Sequence, residues 1–140
     1  MTAVANPPKK QGASYEARFT AEALAKGFDV MEPAGDYLIY DRIVVNGSDE
    51  TFRVQVKGTT YVQKGKQSYK VLAASGKGGV AKVILTPDQV DVLAVYVDPA
   101  ETWYFIPVSK ITSKSVYLSP TDSSSVGKYE TWRDAWNVFA

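Results

Sequence analysis

Three polar residues sit where they could act together: Asp41, Gln55 and Lys57. In the stretch TFRVQVKG, a strand with period two puts Phe52, Val54 and Val56 on one face and Arg53, Gln55 and Lys57 on the other. An amide and an ammonium therefore project together from a Val-rich strand. The preceding segment, Tyr37 to Val45, reads as a second strand, and Asn46-Gly47 with the extra loop residues Ser48 to Glu50 is a hairpin signal between the two. Antiparallel pairing brings Asp41, near the start of that hairpin, to the end of the strand that carries Gln55 and Lys57. Carboxylate and amide oxygens suit a hard cation such as Mg2+, and an ammonium can steady negative charge or orient water.

Composition removes most competing chemistries. The chain has no Cys and no His, so it can build no Ser-His-Asp triad, no Cys-His pair, no ordinary zinc site and no nuclease centre that depends on His. An enzyme with this inventory must work with carboxylates, Lys, Tyr or an oxygen-bound cation. Its 140 residues fit one globular domain. No stretch approaches the roughly 18 apolar residues of a membrane span, and MTAVANPPKKQG lacks the apolar run of a secretory signal, so a cytoplasmic protein away from membranes is expected.

The net charge of +1 conceals an asymmetry. From Thr51 to Pro87 there are seven basic residues and no acidic one, leaving nine basic and fifteen acidic residues elsewhere. This basic tract, which includes Lys64, Lys66, Lys70 and Lys77, either tracks a phosphate backbone or forms a solvated loop. Within it SGKGG, from Ser75 to Gly79, lacks the full spacing of a phosphate loop and reads as a turn.

The positioning elements follow from pattern. Residues 1–11 read as a flexible tail and residues 12–140 as a single domain. A helix is expected over Ala13 to Lys26, ending at Gly27. At about 100° per residue, Phe19, Ala23, Glu16, Thr20, Leu24 and Ala17 share an arc opposite Arg18, Glu22 and Lys26. Glu16 thus falls on the less polar side, where a carboxylate is hydrogen-bonded, paired, bound to a cation or reaching for water. Phe28 to Met31 reads as a short strand, and Glu32 to Asp36 as a loop in which Asp36 caps a turn or adds a ligand. Thr86-Pro87-Asp88-Gln89 is a capped helical turn. Val92 to Val97 and Trp103 to Pro107 are further strands, Val116 to Leu118 an edge strand, and Glu130 to Phe139 a final helix whose Trp132, Trp136 and Phe139 pack on the sheet.

This order of helix, strands and polar residues resembles the PD-(D/E)xK nuclease superfamily. Glu16 matches the helical Glu, Asp41 in YDRIV the Asp of the second strand, and Gln55-Val56-Lys57 the (D/E)xK tripeptide with Gln in place of the acid. The pattern is similar to archaeal Holliday junction resolvases and, with its Gln, to intron-encoded homing endonucleases, over about Gly12 to Pro107. The resemblance implies an α/β (α+β) fold with a restriction-endonuclease-like core, a mixed central sheet flanked by helices, and a helical crossover. It further implies a Mg2+-dependent DNA endonuclease, with Mn2+ able to substitute, ligated by Asp41, Gln55, the Val56 backbone carbonyl and Glu16. Lys57 would position water, and Lys64, Lys66, Lys70 and Lys77 would contact double-stranded DNA, in a homodimer or higher homo-oligomer. A junction resolvase, and a noncatalytic nucleic-acid-binding module that has lost the acid at position 55, are the alternatives.

Overall fold

The computed structural model describes residues 8–60, 68–76, 82–121 and 127–140. Its elements are one helix, α1 (Pro8–Ala25), and nine strands: β1 (Asp29–Met31), β2 (Arg42–Val45), β3 (Thr51–Thr59), β4 (Tyr69–Leu72), β5 (Ala74–Ser75), β6 (Val83–Ile84), β7 (Val92–Val97), β8 (Thr102–Pro107) and β9 (Ser115–Leu118). The main sheet has five strands in the order β1-β2-β3-β7-β8, with β3 and β7 parallel and every other neighbouring pair antiparallel. This is the mixed α/β architecture expected.

Helix α1 starts at Pro8, so residues 8–11 belong to it and not to the expected tail. Proline is tolerated there because the first N–H of a helix has no partner to lose. The helix ends where Gly27 adopts φ +95, a conformation that suits a residue without a Cβ. Its core stripe is Tyr15, Phe19 and Ala23, while Leu24, expected on the buried arc, is exposed. The stripe is rotated because Tyr15 packs on the bare backbone of Gly58, where any Cβ would overlap the Tyr15 ring. Gly58 thereby sets how closely α1 approaches β3, directly after Lys57.

The sheet divides two apolar clusters. On the α1 side Phe19, Val44, Val54, Val56, Ala94, Phe105, Trp136 and Phe139 pack together. On the other side Leu93, Val95, Val97, Tyr104 and Ile106 meet Tyr69, Val71, Val116 and Leu118 of an antiparallel β4–β9 pair. Parallel neighbours require a crossover. Among the described residues this one contains no helix, in contrast to the expectation; it is built from β4, β5 and β6, with β5 and β6 pairing as Ala74↔Ile84 and Ser75↔Val83. Gln89 and Val90 both donate to the Thr86 carbonyl and close the turn into β7.

Two expected elements are different in kind. Tyr37 to Asp41 is not strand, and β2 begins at Arg42. Glu130 to Phe139 is not an α-helix but two 3-10 turns, Glu130–Trp132 and Trp136–Phe139. Between them Arg133 is extended, forming an isolated bridge with Tyr104 on the outer edge of β8, and Asp134 takes φ 52. The break has a packing cause: Tyr129 and Trp132 join one cluster, Trp136 and Phe139 the other. A straight helix cannot reach both faces of a sheet from one edge.

Candidate active site

Strand β3 places its side chains as the period of two requires. Val54 and Val56 enter the α1-side core, and Gln55 and Lys57 turn to the opposite face. Asp41 is fastened to the same strand by two bonds: its N–H donates to the Val54 carbonyl at 2.8 Å, and its Oδ2 accepts from the Val56 N–H at 2.8 Å. Because the N–H and C=O of a strand residue lie on the same edge, the Val56 carbonyl also points toward the Asp41 side. The side chain of Asp41 replaces a ladder bond, which is why the segment before Arg42 is loop.

Gln55 is 8% exposed, and its Nε2 donates to the Ile39 carbonyl at 3.0 Å. A carbonyl only accepts, so this bond fixes which end of the amide is nitrogen. Oε1 is left as the one buried side-chain polar atom without a hydrogen-bond partner among the described residues. An orphaned buried acceptor costs about 1–3 kcal/mol. Lys57 Nζ reaches the Ala74 carbonyl at only 3.5 Å. Asp41, Gln55 and Lys57 line one cavity of about 380 Å³ together with Asp36, Tyr37 and Lys82.

A second cavity, of about 420 Å³, shares Asp36 and Asp41 and adds Glu16, Glu32 and Arg42. Glu16 is therefore brought beside Asp41, but its Oε1 lies 3.3 Å from Arg42 Nη1. Burial moves the titration of three of these groups away from their ordinary values. Burial pushes the Asp41 carboxyl above its ordinary range, against the Val56 N–H, Arg42 and Lys57. Glu16 is raised by burial and by the charge of Asp41, with Arg42 opposing. Lys57 is lowered by burial and by Lys82, with Asp41 opposing.

No group of three His, Cys, Asp or Glu residues close enough to hold a metal exists among the described residues. The oxygens that could hold an ion are instead mixed: one carboxylate, the orphaned amide oxygen of Gln55 and the Val56 carbonyl. All are hard oxygens, and a cation would satisfy the buried Oε1, so the residues present fit an alkaline-earth ion. Such an arrangement can hold a phosphate between cation and ammonium and direct a water at it.

Arg42, Lys82 and the 75% exposed Tyr37 were not singled out by sequence reasoning. Arg42 had a legible signal: it follows Asp41 and shares the strand parity of buried Val44, so it had to face α1. Lys64, Lys66 and Lys77 lie outside the described residues, as does most of the SGKGG turn, while its Ser75 and Gly76 line the first cavity. Lys70 is on β4 opposite Tyr117 and is not part of that cavity's lining. No helix among the described residues is long and apolar enough to cross a membrane.

The model of the PD-(D/E)XK endonuclease family matches residues 6–139. A bacterial homing endonuclease of known structure superposes with a TM-score of 0.80 at 24% identity, covering 94% of this chain and 91% of that one. Hjc, a Holliday junction resolvase from the archaeal hyperthermophile Archaeoglobus fulgidus, gives a TM-score of 0.49 at 17% identity over 79% of this chain and 85% of that one. A comparison with curated proteins finds no match. At these identities the likeness to solved structures is one of fold.

Proposed function

Since the chain belongs to the PD-(D/E)XK endonuclease family, we propose that it is a Mg2+-dependent DNA endonuclease of the homing type. The observation that carries this reading is the buried, partnerless Oε1 of Gln55, a residue that lines one cavity with Asp41 and Lys57. Asp41, Gln55 Oε1 and the Val56 carbonyl would hold the divalent cation, for which Mn2+ can stand in. Once bound, that cation supplies Lewis acidity against the negative charge that builds on the phosphate.

The rest is the work of the chain. Lys57 binds a phosphate oxygen and orients the attacking water, and burial, by lowering its pKa, eases proton exchange with that water. Lys82, in the same cavity, adds a second cation for the phosphate. Glu16, held by Arg42, acts at one remove through water. Lys64, Lys66, Lys70 and Lys77 belong to the basic tract assigned to the duplex backbone. Each chain holds one such site, so breaking both strands of a duplex calls for a homodimer or higher homo-oligomer.

The test is cleavage of supercoiled plasmid, a pool of randomised duplexes and a four-way junction, each with Mg2+, Mn2+ or EDTA. Metal-dependent cutting of a subset of duplexes is expected. Cutting confined to the junction makes the protein a resolvase, and DNA binding with no cutting under any condition makes it a noncatalytic module.

A further inference from the structure

Beyond holding Glu16, Arg42 has no part in the chemistry above, yet it is the most heavily engaged cation near it. Its side chain is only 13% exposed. Nη1 lies 3.3 Å from Glu16 Oε1 and donates to the Asp41 carbonyl at 2.7 Å, Nη2 lies 3.4 Å from Glu32 Oε1, and Nε donates to Thr20 Oγ1 at 2.9 Å. All three guanidinium nitrogens are thus engaged, and their partners come from α1, from the loop after β1 and from the residue before β2. Glu16, Glu32, Arg42 and Asp41 line one cavity.

The place of this guanidinium is informative. Without it, Glu16 and Glu32 would present free carboxylates beside Asp41, a setting that attracts a second divalent ion. With it, Glu16 Oε1 is paired, and a fixed positive charge stands between the helix and the main chain of Asp41. Unlike a bound ion, a guanidinium stays charged at every working pH and cannot be chelated.

We propose that Arg42 is a resident cation that withholds Glu16 and Glu32 from coordination, so that each chain binds one divalent ion, at Asp41, instead of two. Arg42 is a positioning residue here and touches neither substrate nor metal. The inference rests on the metal reading of the Asp41 cavity given above, and it concerns stoichiometry, which a purely structural arginine would not set.

The experiment counts Mn2+ bound by the DNA-free full chain, using electron paramagnetic resonance of the free ion. The parent should bind one Mn2+ per chain. Glu16→Gln should change its affinity by less than about threefold, and Asp41→Asn should weaken it by about tenfold or more. Arg42→Met should admit a second Mn2+, Arg42→Lys should not, and Arg42→Met combined with Glu16→Gln should return the count to one. Two ions in the parent, a tenfold loss from Glu16→Gln, or a folded Arg42→Met chain that still binds one ion would overturn the proposal and leave the Asp41 site standing. No ion in the parent defeats both. If Arg42→Met fails to fold, the parent count and the Glu16→Gln affinity decide the matter by themselves.

Discussion

Arg53 and Lys57 share one face of β3, and each stands near an aspartate, but the two ends of the strand are built in opposite ways. At the first end Arg53 Nε and Nη2 grip Asp91 Oδ2 and Oδ1 at 3.0 and 3.1 Å, and the same guanidinium donates to the carbonyls of Pro87 and Asp88. Burial would raise Asp91, yet the bonds and charge of Arg53 hold it below the ordinary aspartate range. At the other end Asp41 is raised by burial, Lys57 is lowered by burial, and the Oε1 of Gln55, which lines the same cavity, has no partner. One pair is satisfied by the fold. The other group is left wanting something the fold does not supply, which is what a site that must bind and release a ligand requires.

Breaking the unsatisfied end should give the largest effect. Asp41→Asn and Lys57→Ala are each expected to lower cleavage by about a thousandfold or more while leaving the melting temperature equal or higher, since each removes a buried charge and Asn can still accept from the Val56 N–H. Arg53→Ala should do the reverse. With side chains 33% and 34% exposed, screening keeps the loss of its ion pair to about 1 kcal/mol, and activity per folded molecule should persist. Cleavage rates and thermal melts on the three variants test this, and a fully active, folded Asp41→Asn protein removes the site assignment.

Next in size is Gly58→Ala. The added methyl meets the Tyr15 ring, which cannot swing aside freely because its hydroxyl donates to Asp98 Oδ2 at 2.9 Å. Overpacking of this kind costs about 1–3 kcal/mol. It should also shift α1, and with it Glu16, relative to Asp41 and Lys57, so cleavage should fall even at temperatures where the variant is folded. Denaturant melts paired with rates at low temperature separate the two losses.

Gln55→Glu sharpens the contrast from the other side. If Oε1 awaits a cation, adding a charge there should lower the Mg2+ concentration for half-maximal cleavage by about tenfold. An unchanged Mg2+ titration would mean that Gln55 lies outside the coordination sphere.

How much of this could be read without coordinates depends on what each residue type reports. The apolar runs Val92–Val97 and Trp103–Ile106 are buried on both faces, so hydrophobicity alone marks them as strands. Gln55 and Lys57 were legible because alternation in a Val-rich strand leaves them no other face. The segment Tyr37 to Asp41 was not, because its strand-like composition is overruled by two side chains that take ladder bonds, Gln55 on the Ile39 carbonyl and Asp41 on the Val56 N–H. The final segment shows helical spacing at Trp132, Trp136 and Phe139, yet it divides its aromatics between two cores, and pattern says nothing about which core each enters. Arg42 shows the same limit: its parity is in the sequence, its partners Glu16 and Glu32 are not.

The smallest effect is the most direct measure of the difference between the two ends, because its sign must invert. Asp41 has a raised folded-state pKa, so the stability it contributes is present below the unfolded value of 3.8 and is lost as pH rises through the folded value. Asp91 has a lowered one, so its contribution is present above 3.8 and is lost as pH falls through the folded value. Replacing each with Asn removes the titration. In melts from about pH 3 to about pH 8, Asp41→Asn should gain on the parent as pH rises, and Asp91→Asn should fall behind it, each by about 1 kcal/mol or less. Curves that diverge from the parent in the same direction would mean that the fold treats both aspartates alike, and that the end of β3 carrying Lys57 is no more poised for a ligand than the end carrying Arg53.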